Sequence, residues 1–170
     1  MGLLGVYLFF VCITLVSNGI AALCKIDLKS ASFINIVTGG IIVISSFIMI
    51  ARADSADTMA YNNIIAGFLF GFTYLFIAAN FLLKLDLRPF GWYSLCVVVF
   101  ALISALACLK AGFIGMAILW FAWAILWMEG FLELAAGFKK LGKVFPYLSI
   151  AEGIFAAGVP SILMLFGIWQ

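Results

Sequence analysis

The sequence predicts an all-α integral membrane protein of six transmembrane helices, and three observations carry that reading. Of its 170 residues, 68% are hydrophobic and only 9% are charged, too few polar groups to cover a water-soluble core of this size. The charged and turn-forming residues are spaced so that apolar runs lie between them, and about 20 helical residues cross a hydrocarbon layer about 30 Å thick. The basic residues also collect in alternate connections. Residues 1–170 therefore read as a single six-span transmembrane domain, with no separate soluble domain.

The first span, Gly2 to Leu23, is as long as the later runs and lacks both a basic lead-in and a small-residue cleavage site, so it reads as a helix and not as a removable signal. The others are drawn at Phe33 to Ala51, Ile64 to Leu83, Leu95 to Leu109, Phe113 to Phe138 and Ser149 to Trp169. Spans one, three and five are followed by "CKIDLKSAS", "KLDLRPFGWYS" and "KKLGKVFPY"; spans two and four by "RADSADTMAYNN" and "KAG". One set of connections holds Lys25, Lys29, Lys84, Arg88, Lys139, Lys140 and Lys143, and the other Arg52 and Lys110. Short loops rich in Lys and Arg stay in the cytoplasm, which puts both termini outside.

An internal repeat fits the same drawing. "KIDLKS" at 25–30 returns as "KLDLRP" at 84–89, and a looser "KLGKVFP" follows at 140–146. Three helical hairpins, each turning at a basic corner, would produce that spacing, and repeated units in membrane proteins often surround a path for solute.

Several chemistries are disfavoured by composition. The chain has no histidine, and Cys12, Cys24, Cys96 and Cys108 lie in or beside apolar segments with no Cys-x-x-Cys spacing. They read as small apolar filler, not as disulfides, metal ligands or nucleophiles. No nucleophile with a base, no metal set and no cofactor motif is visible, so neither an enzyme, a cofactor nor a metal is expected. No basic block suggests nucleic acid.

The polar and aromatic residues within the spans carry the functional reading. On the fifth span Trp120, Trp123 and Trp127 fall within roughly 60° of arc, one stripe about two turns high. Interfacial belts also use tryptophan, and Trp92 and Trp169 suit that place, but the stripe sits mid-span, where belt residues are not wanted. Packing between helices is the competing account of the stripe, and a pore wall is the other. Glu129 lies nearly opposite the stripe, Glu133 one turn further on, and Glu152 opens the sixth span. Ionisable groups within a span face a partner or a wet path. Glu152 also suits a plain helix-start acid, and pairs with Lys139, Lys140 and Lys143 are the alternative to a wet vestibule. Phe70, Thr73 and Tyr74 share a face of the third span. Asn18 and Asn80 occupy matching places before the two Lys-x-Asp-Leu corners, as helix-to-helix ties or as ligands for a polar solute. A narrow passage walled by aromatic and aliphatic side chains cannot repay the dehydration of an ion. It suits a small, neutral, flat solute, which an aromatic face can stack.

The stretches "SNGI" with "K-x-D-x-K-S", "LFGFTYL" at 69–75, "LRPFGWYSL" at 87–95, "W-x-A-W-x-x-L-W" at 120–127 and "LGK-x-x-P-x-L-x-I-x-EGI" at 141–154 resemble, in order and over essentially the whole chain, the urea channel and amide transporter family, UreI/AmiS. The resemblance implies a six-span bundle in a hexameric ring in the bacterial inner membrane, with one pore per protomer. It implies that Trp120, Trp123, Leu126 and Trp127 line the pore with Phe70, Tyr74, Val11 and Leu15, and that Glu152 lies near the cytoplasmic mouth. Glu129, Glu133, Asn18, Asn80 and Thr73 stay as polar pore or structural residues. The implied partners are urea or a short aliphatic amide as permeant, membrane lipid, further copies of the chain, and a cytoplasmic urease or amidase. One departure matters: the acid-gated member of the family has a long, histidine-bearing outer loop after its second span, whereas here the connection is short and histidine-free, leaving only Asp54 and Asp57 as acids that a pH gate there could use. A non-transporting membrane assembly or regulatory subunit, with the tryptophan stripe as a packing interface, is the alternative reading.

Overall fold

The computed structural model describes residues 2–169. Its helices are α1 (Gly2–Leu23), α2 (Leu28–Arg52), α3 (Thr58–Leu83), α4 (Arg88–Lys110) and α5 (Ile114–Leu134), followed by a 3₁₀ turn (Leu141–Lys143) and a last span (Phe145–Leu165). That span comprises α6 (Phe145–Glu152), a π-helical segment (Gly153–Gly158) and α7 (Val159–Leu165). Among the described residues six helices, counting the last span as one, are long and apolar enough to cross a membrane.

Several boundaries differ from those drawn on hydropathy, for local reasons. Helix α2 starts five residues before Phe33, because the Asp27 carboxylate accepts the Lys29 amide at 3.1 Å. Helix α3 starts before Ile64, because Asp57 accepts the Ala60 amide at 3.0 Å. Each carboxylate satisfies an amide that the first helical turn leaves open. Pro89 occupies the first turn of α4, where a missing N–H costs nothing, and starts the helix before Leu95. At the other end α5 stops short of Phe138, as the chain turns through Gly137 at φ 84°. The last span runs from Phe145, with Pro146 in its first turn, to Leu165, so Ser149 lies inside it and Trp169 beyond it. The first span, Gly2 to Leu23, coincides with α1; at the ends that differ, caps, prolines and a glycine turn set the boundary that hydropathy does not mark.

The repeat has a structural cause. Lys25 and Lys84 both adopt the left-handed conformation at φ 53°, and two residues later an aspartate accepts the amide of the residue two further on, Asp27 from Lys29 and Asp86 from Arg88 at 3.0 Å. The matching letters thus encode a matching helix stop and restart.

The chain divides into two compact units. In residues 27–85, α2 and α3 form a hairpin closed by small residues. A Cβ built on Gly39 would lie 2.8 Å from the Gly71 carbonyl oxygen, and one on Gly67 would overlap the Ser46 hydroxyl. Such close approach is how helices gain contact where lipid offers no hydrophobic drive. In residues 2–26 and 86–169, α4 packs chiefly on α5, while the last span packs chiefly on α1. Ala101, Ala105 and Ala117 are fully buried. The Ser149 hydroxyl donates to the Leu15 carbonyl and Ser161 to the Gly5 carbonyl, each at 2.8 Å. The extensive hairpins α2–α3 and α4–α5 therefore turn at the weakly basic connections, and α5 meets the last span far less than the hairpin drawing at the basic corners implied. Small residues on the facing sides decide this, and loop charge does not record them.

Polar and small side chains lie inside, with Thr14, Asn35, Thr38, Ser46 and Ser149 fully buried, while Phe33, Ile44, Ile103, Ile118 and Phe155 are exposed. That is the inverse of a water-soluble protein and the pattern a bilayer favours.

Candidate functional site

Helix α5 turns three indoles to one buried face, Trp120, Trp123 and Trp127 being 8%, 3% and 8% exposed. Trp120 and Trp123 meet edge to face with centroids 5.0 Å apart, and Phe100 of α4 meets Trp120 in the same manner at 5.8 Å. Such geometry sets the positive edge of one ring against the negative face of the next. Leu126 is half-buried, and Val11 and Leu15 of α1 are buried within the same unit. Gly153 of the last span lets that span approach α1, since a Cβ there would be 3.0 Å from Leu15 Cβ.

The carboxylates differ in setting. Glu129 and Glu152 are buried, and both oxygens of Glu129 and Oε2 of Glu152 find no hydrogen-bond partner among the described residues. Glu133 is half-buried and its carboxylate lies over Gly142, where any side chain would collide with it. Among the described residues the salt bridge is Arg88 with Asp86, both exposed; the lysine pairs considered for Glu129, Glu133 and Glu152 do not form. At that corner the Arg88 guanidinium donates to the Asp86 carboxylate at 2.9 and 3.1 Å, and with the Arg88 amide holds the carboxyl at about 2, below the usual carboxylate range.

In the other unit Tyr74 and Thr73 are buried and Phe70 half-buried. The Thr73 hydroxyl donates to the Leu69 carbonyl of its own helix at 2.8 Å, a common way to satisfy a hydroxyl within a span. Asn80 is half-buried and borders an open recess of about 430 Å³ with Asp27, Lys29, Phe81 and Lys84. Asn18, by contrast, is buried in α1, so the two matching amides sit in unlike surroundings. Trp92 is exposed and tilts against Phe131 at 5.3 Å, and the Trp169 ring lies over Gly115.

Sequence reasoning missed the Ala156 carbonyl. The Trp123 indole N–H donates to it at 3.1 Å, so one polar edge of the stripe is satisfied by backbone. The signal was present: Pro160 stands four residues after Ala156.

The comparisons agree with this architecture. The family model described as AmiS/UreI family transporter matches residues 3–168. The chain is 33% identical to the acid-activated urea channel of Helicobacter pylori (strain ATCC 700392 / 26695) over 98% of this chain and 100% of that protein. It is 34% identical to a putative amidate substrates transporter protein of Mycolicibacterium smegmatis over 98% of this chain and 78% of that one. The crystal structure of the urea channel from Helicobacter pylori superposes with a TM-score of 0.87 at 33% identity, covering 98% of this chain and 99% of that chain. With the family model spanning nearly every residue and six helices long and apolar enough to cross a membrane among the described residues, this multi-pass membrane protein belongs to the AmiS/UreI family of transporters.

Proposed function

We propose that the chain is a passive channel for urea, and for short aliphatic amides, across the bacterial inner membrane, feeding a cytoplasmic urease or amidase. The observation that carries the reading is the buried indole face of α5, where Phe100, Trp120 and Trp123 meet edge to face, in the unit that also buries Val11 and Leu15. Such a wall offers a flat neutral solute ring faces to slide along and offers an ion almost nothing in exchange for its water. The buried Glu152, with one oxygen unpartnered, supplies an acceptor for solute N–H groups near the cytoplasmic mouth. Phe70 and Tyr74 carry a pore-lining assignment from the family resemblance. The whole chain acts as one channel domain, six copies make a ring, and both termini lie outside, with Lys25, Lys29, Lys84, Arg88, Lys139, Lys140 and Lys143 on the cytoplasmic side. It is a transporter and not an enzyme.

A second reading has one observation in its favour. The Trp123 donor is spent inside the chain, as it would be if the stripe were only packing in a non-transporting assembly. Stopped-flow urea flux in proteoliposomes separates the two: a channel outpaces protein-free vesicles strongly, whereas an assembly subunit leaves the rate at the lipid background, and that result would end the channel reading.

A further inference from the structure

The last span changes its hydrogen-bond pattern beside the tryptophan stripe. Between Gly153 and Gly158 the helix is π-wound, and the Val159 amide reaches back five residues to the Ile154 carbonyl. Short π segments inside α-helices frequently mark functional sites. Immediately after it stands Pro160, buried in the first turn of α7. The last i−5 bond is that of Val159 and α7 begins there, so where α register resumes the amide of residue 160 would donate to the carbonyl of Ala156, and proline has no amide hydrogen. A buried carbonyl without a partner is costly. The partner it finds is the Trp123 indole N–H, at 3.1 Å, with Trp123 3% and Ala156 5% exposed.

The irregular segment is held on both sides. Ser149 donates to the Leu15 carbonyl before it and Ser161 to the Gly5 carbonyl after it. Between them, a side chain at Gly153 or Gly158 would meet Leu15 Cβ at 3.0 Å or Cys12 Sγ at 2.8 Å. The backbone bearing the Ala156 carbonyl is thus clamped to α1, so the carbonyl is a fixed point and the indole is the adjustable member.

We propose that Pro160 is a positioning residue for Trp123: by withholding its amide it leaves the Ala156 carbonyl to fix the indole, so that Trp123 presents to solute its ring and not its N–H. This rests on the channel reading above for its consequence, since a solute passing Trp123 then meets a stacking surface, and solute carbonyls must find donors elsewhere. The bond itself is independent of transport. Pro160→Ala restores a backbone donor for Ala156 and releases the indole.

The test uses the full-length protein in lipid nanodiscs with ¹⁵N-labelled indoles, the Trp123 signal being assigned by its loss in Trp123→Phe. In the native protein the Trp123 indole proton should exchange with solvent at least roughly fivefold more slowly than that of the exposed Trp92, the order of protection one hydrogen bond supplies. In Pro160→Ala the Trp123 resonance should move and its exchange quicken by a similar factor, with Trp92 unchanged and the urea-to-acetamide flux ratio altered. An unmoved Trp123 resonance in a folded Pro160→Ala protein overturns the proposal whatever the flux does. A moved resonance with an unaltered flux ratio overturns the claim that the bond governs what solute meets. If Pro160→Ala does not assemble, Pro160→Ser is read in the same way: a Trp123 resonance that moves with quickened exchange supports the proposal, and an unmoved one overturns it, as does native exchange at Trp123 as fast as at Trp92. Absence of urea flux in the native protein would refute the channel reading while leaving the indole result to be judged by itself.

Discussion

A tryptophan whose ring meets a passing solute answers truncation differently from one whose ring meets only neighbours. Trp127 is buried on the stripe, and Trp127→Ala is expected to lower urea flux by roughly tenfold, equivalent to about 1.4 kcal/mol on the barrier. Its unfolding free energy should fall by less than the roughly 3 to 5 kcal/mol lost with a packed core tryptophan. Flux in proteoliposomes and thermal unfolding in detergent read the two, and a variant that unfolds, or folds and conducts normally, removes Trp127 from the path. Glu129 poses the opposite case. Its carboxylate is buried, with no hydrogen bond of good geometry to either oxygen and with the like-charged Glu133 near it, and an unsatisfied buried polar group costs about 1 to 3 kcal/mol. Glu129→Leu should therefore leave the melting temperature unchanged or raise it. A clear drop would mean that the carboxylate has a hydrated or paired role in the assembled protein.

At the scale of the element, small residues and aspartates do what hydropathy does not reveal. Helices α2 and α3 touch at Gly39 and Gly71 with no room for a side chain. Gly39→Leu must push them apart and should destabilise by about 1 to 3 kcal/mol, as overpacking does, whereas Gly40→Leu, with nothing within 4 Å of its Cβ position, should cost little. Equal loss for both would refute the close crossing. The corner at Asp86 gives a pH test. Its carboxyl is held at about 2 by the Arg88 side chain and amide, below the ordinary aspartate value of about 3.9. A depressed folded value means the contribution is complete above about pH 4 and is lost as pH falls through about 2. Asp86→Asn should thus weaken the start of α4 equally at pH 7 and pH 5, read by amide exchange at Arg88. An effect already gone at pH 5 would contradict the ion pair.

For the whole molecule, the question is how it responds to its surroundings. The chain has no histidine, the side chain that ordinarily titrates near about 6.5, and the Asp54 and Asp57 carboxylates are each engaged by a backbone amide, Ala56 and Ala60 respectively. Urea flux should therefore not rise steeply when external pH falls from about 7 to 5, with internal pH held fixed, because the usual switch for that range is missing. A large rise would show a gate elsewhere, and its loss in an Asp54→Asn, Asp57→Asn double variant would assign it to that connection. Orientation is tested in a background lacking the four cysteines: Ser55→Cys should react with an impermeant reagent outside intact cells and Ser30→Cys should not, the reverse pattern overturning the placement of the termini.

The membrane class, six spans, the matching Lys-x-Asp corners and the stripe of Trp120, Trp123 and Trp127 were all legible in the sequence, because each depends on local properties: apolar run length, helical periodicity and backbone caps a few residues apart. Helix ends were less legible, since Asp27, Asp57 and Pro89 extend helices past the apolar residues that announce them. What only the tertiary structure decided were contacts between distant residues. That Glu129 and Glu152 are buried without lysine partners, that α1 rather than α5 is the main neighbour of the last span, and that Pro160 leaves a carbonyl for an indole 33 residues away in sequence depend on which helix faces meet. Small residues allow that meeting, and a chain rich in glycine, alanine and serine offers many faces that close packing alone can choose among.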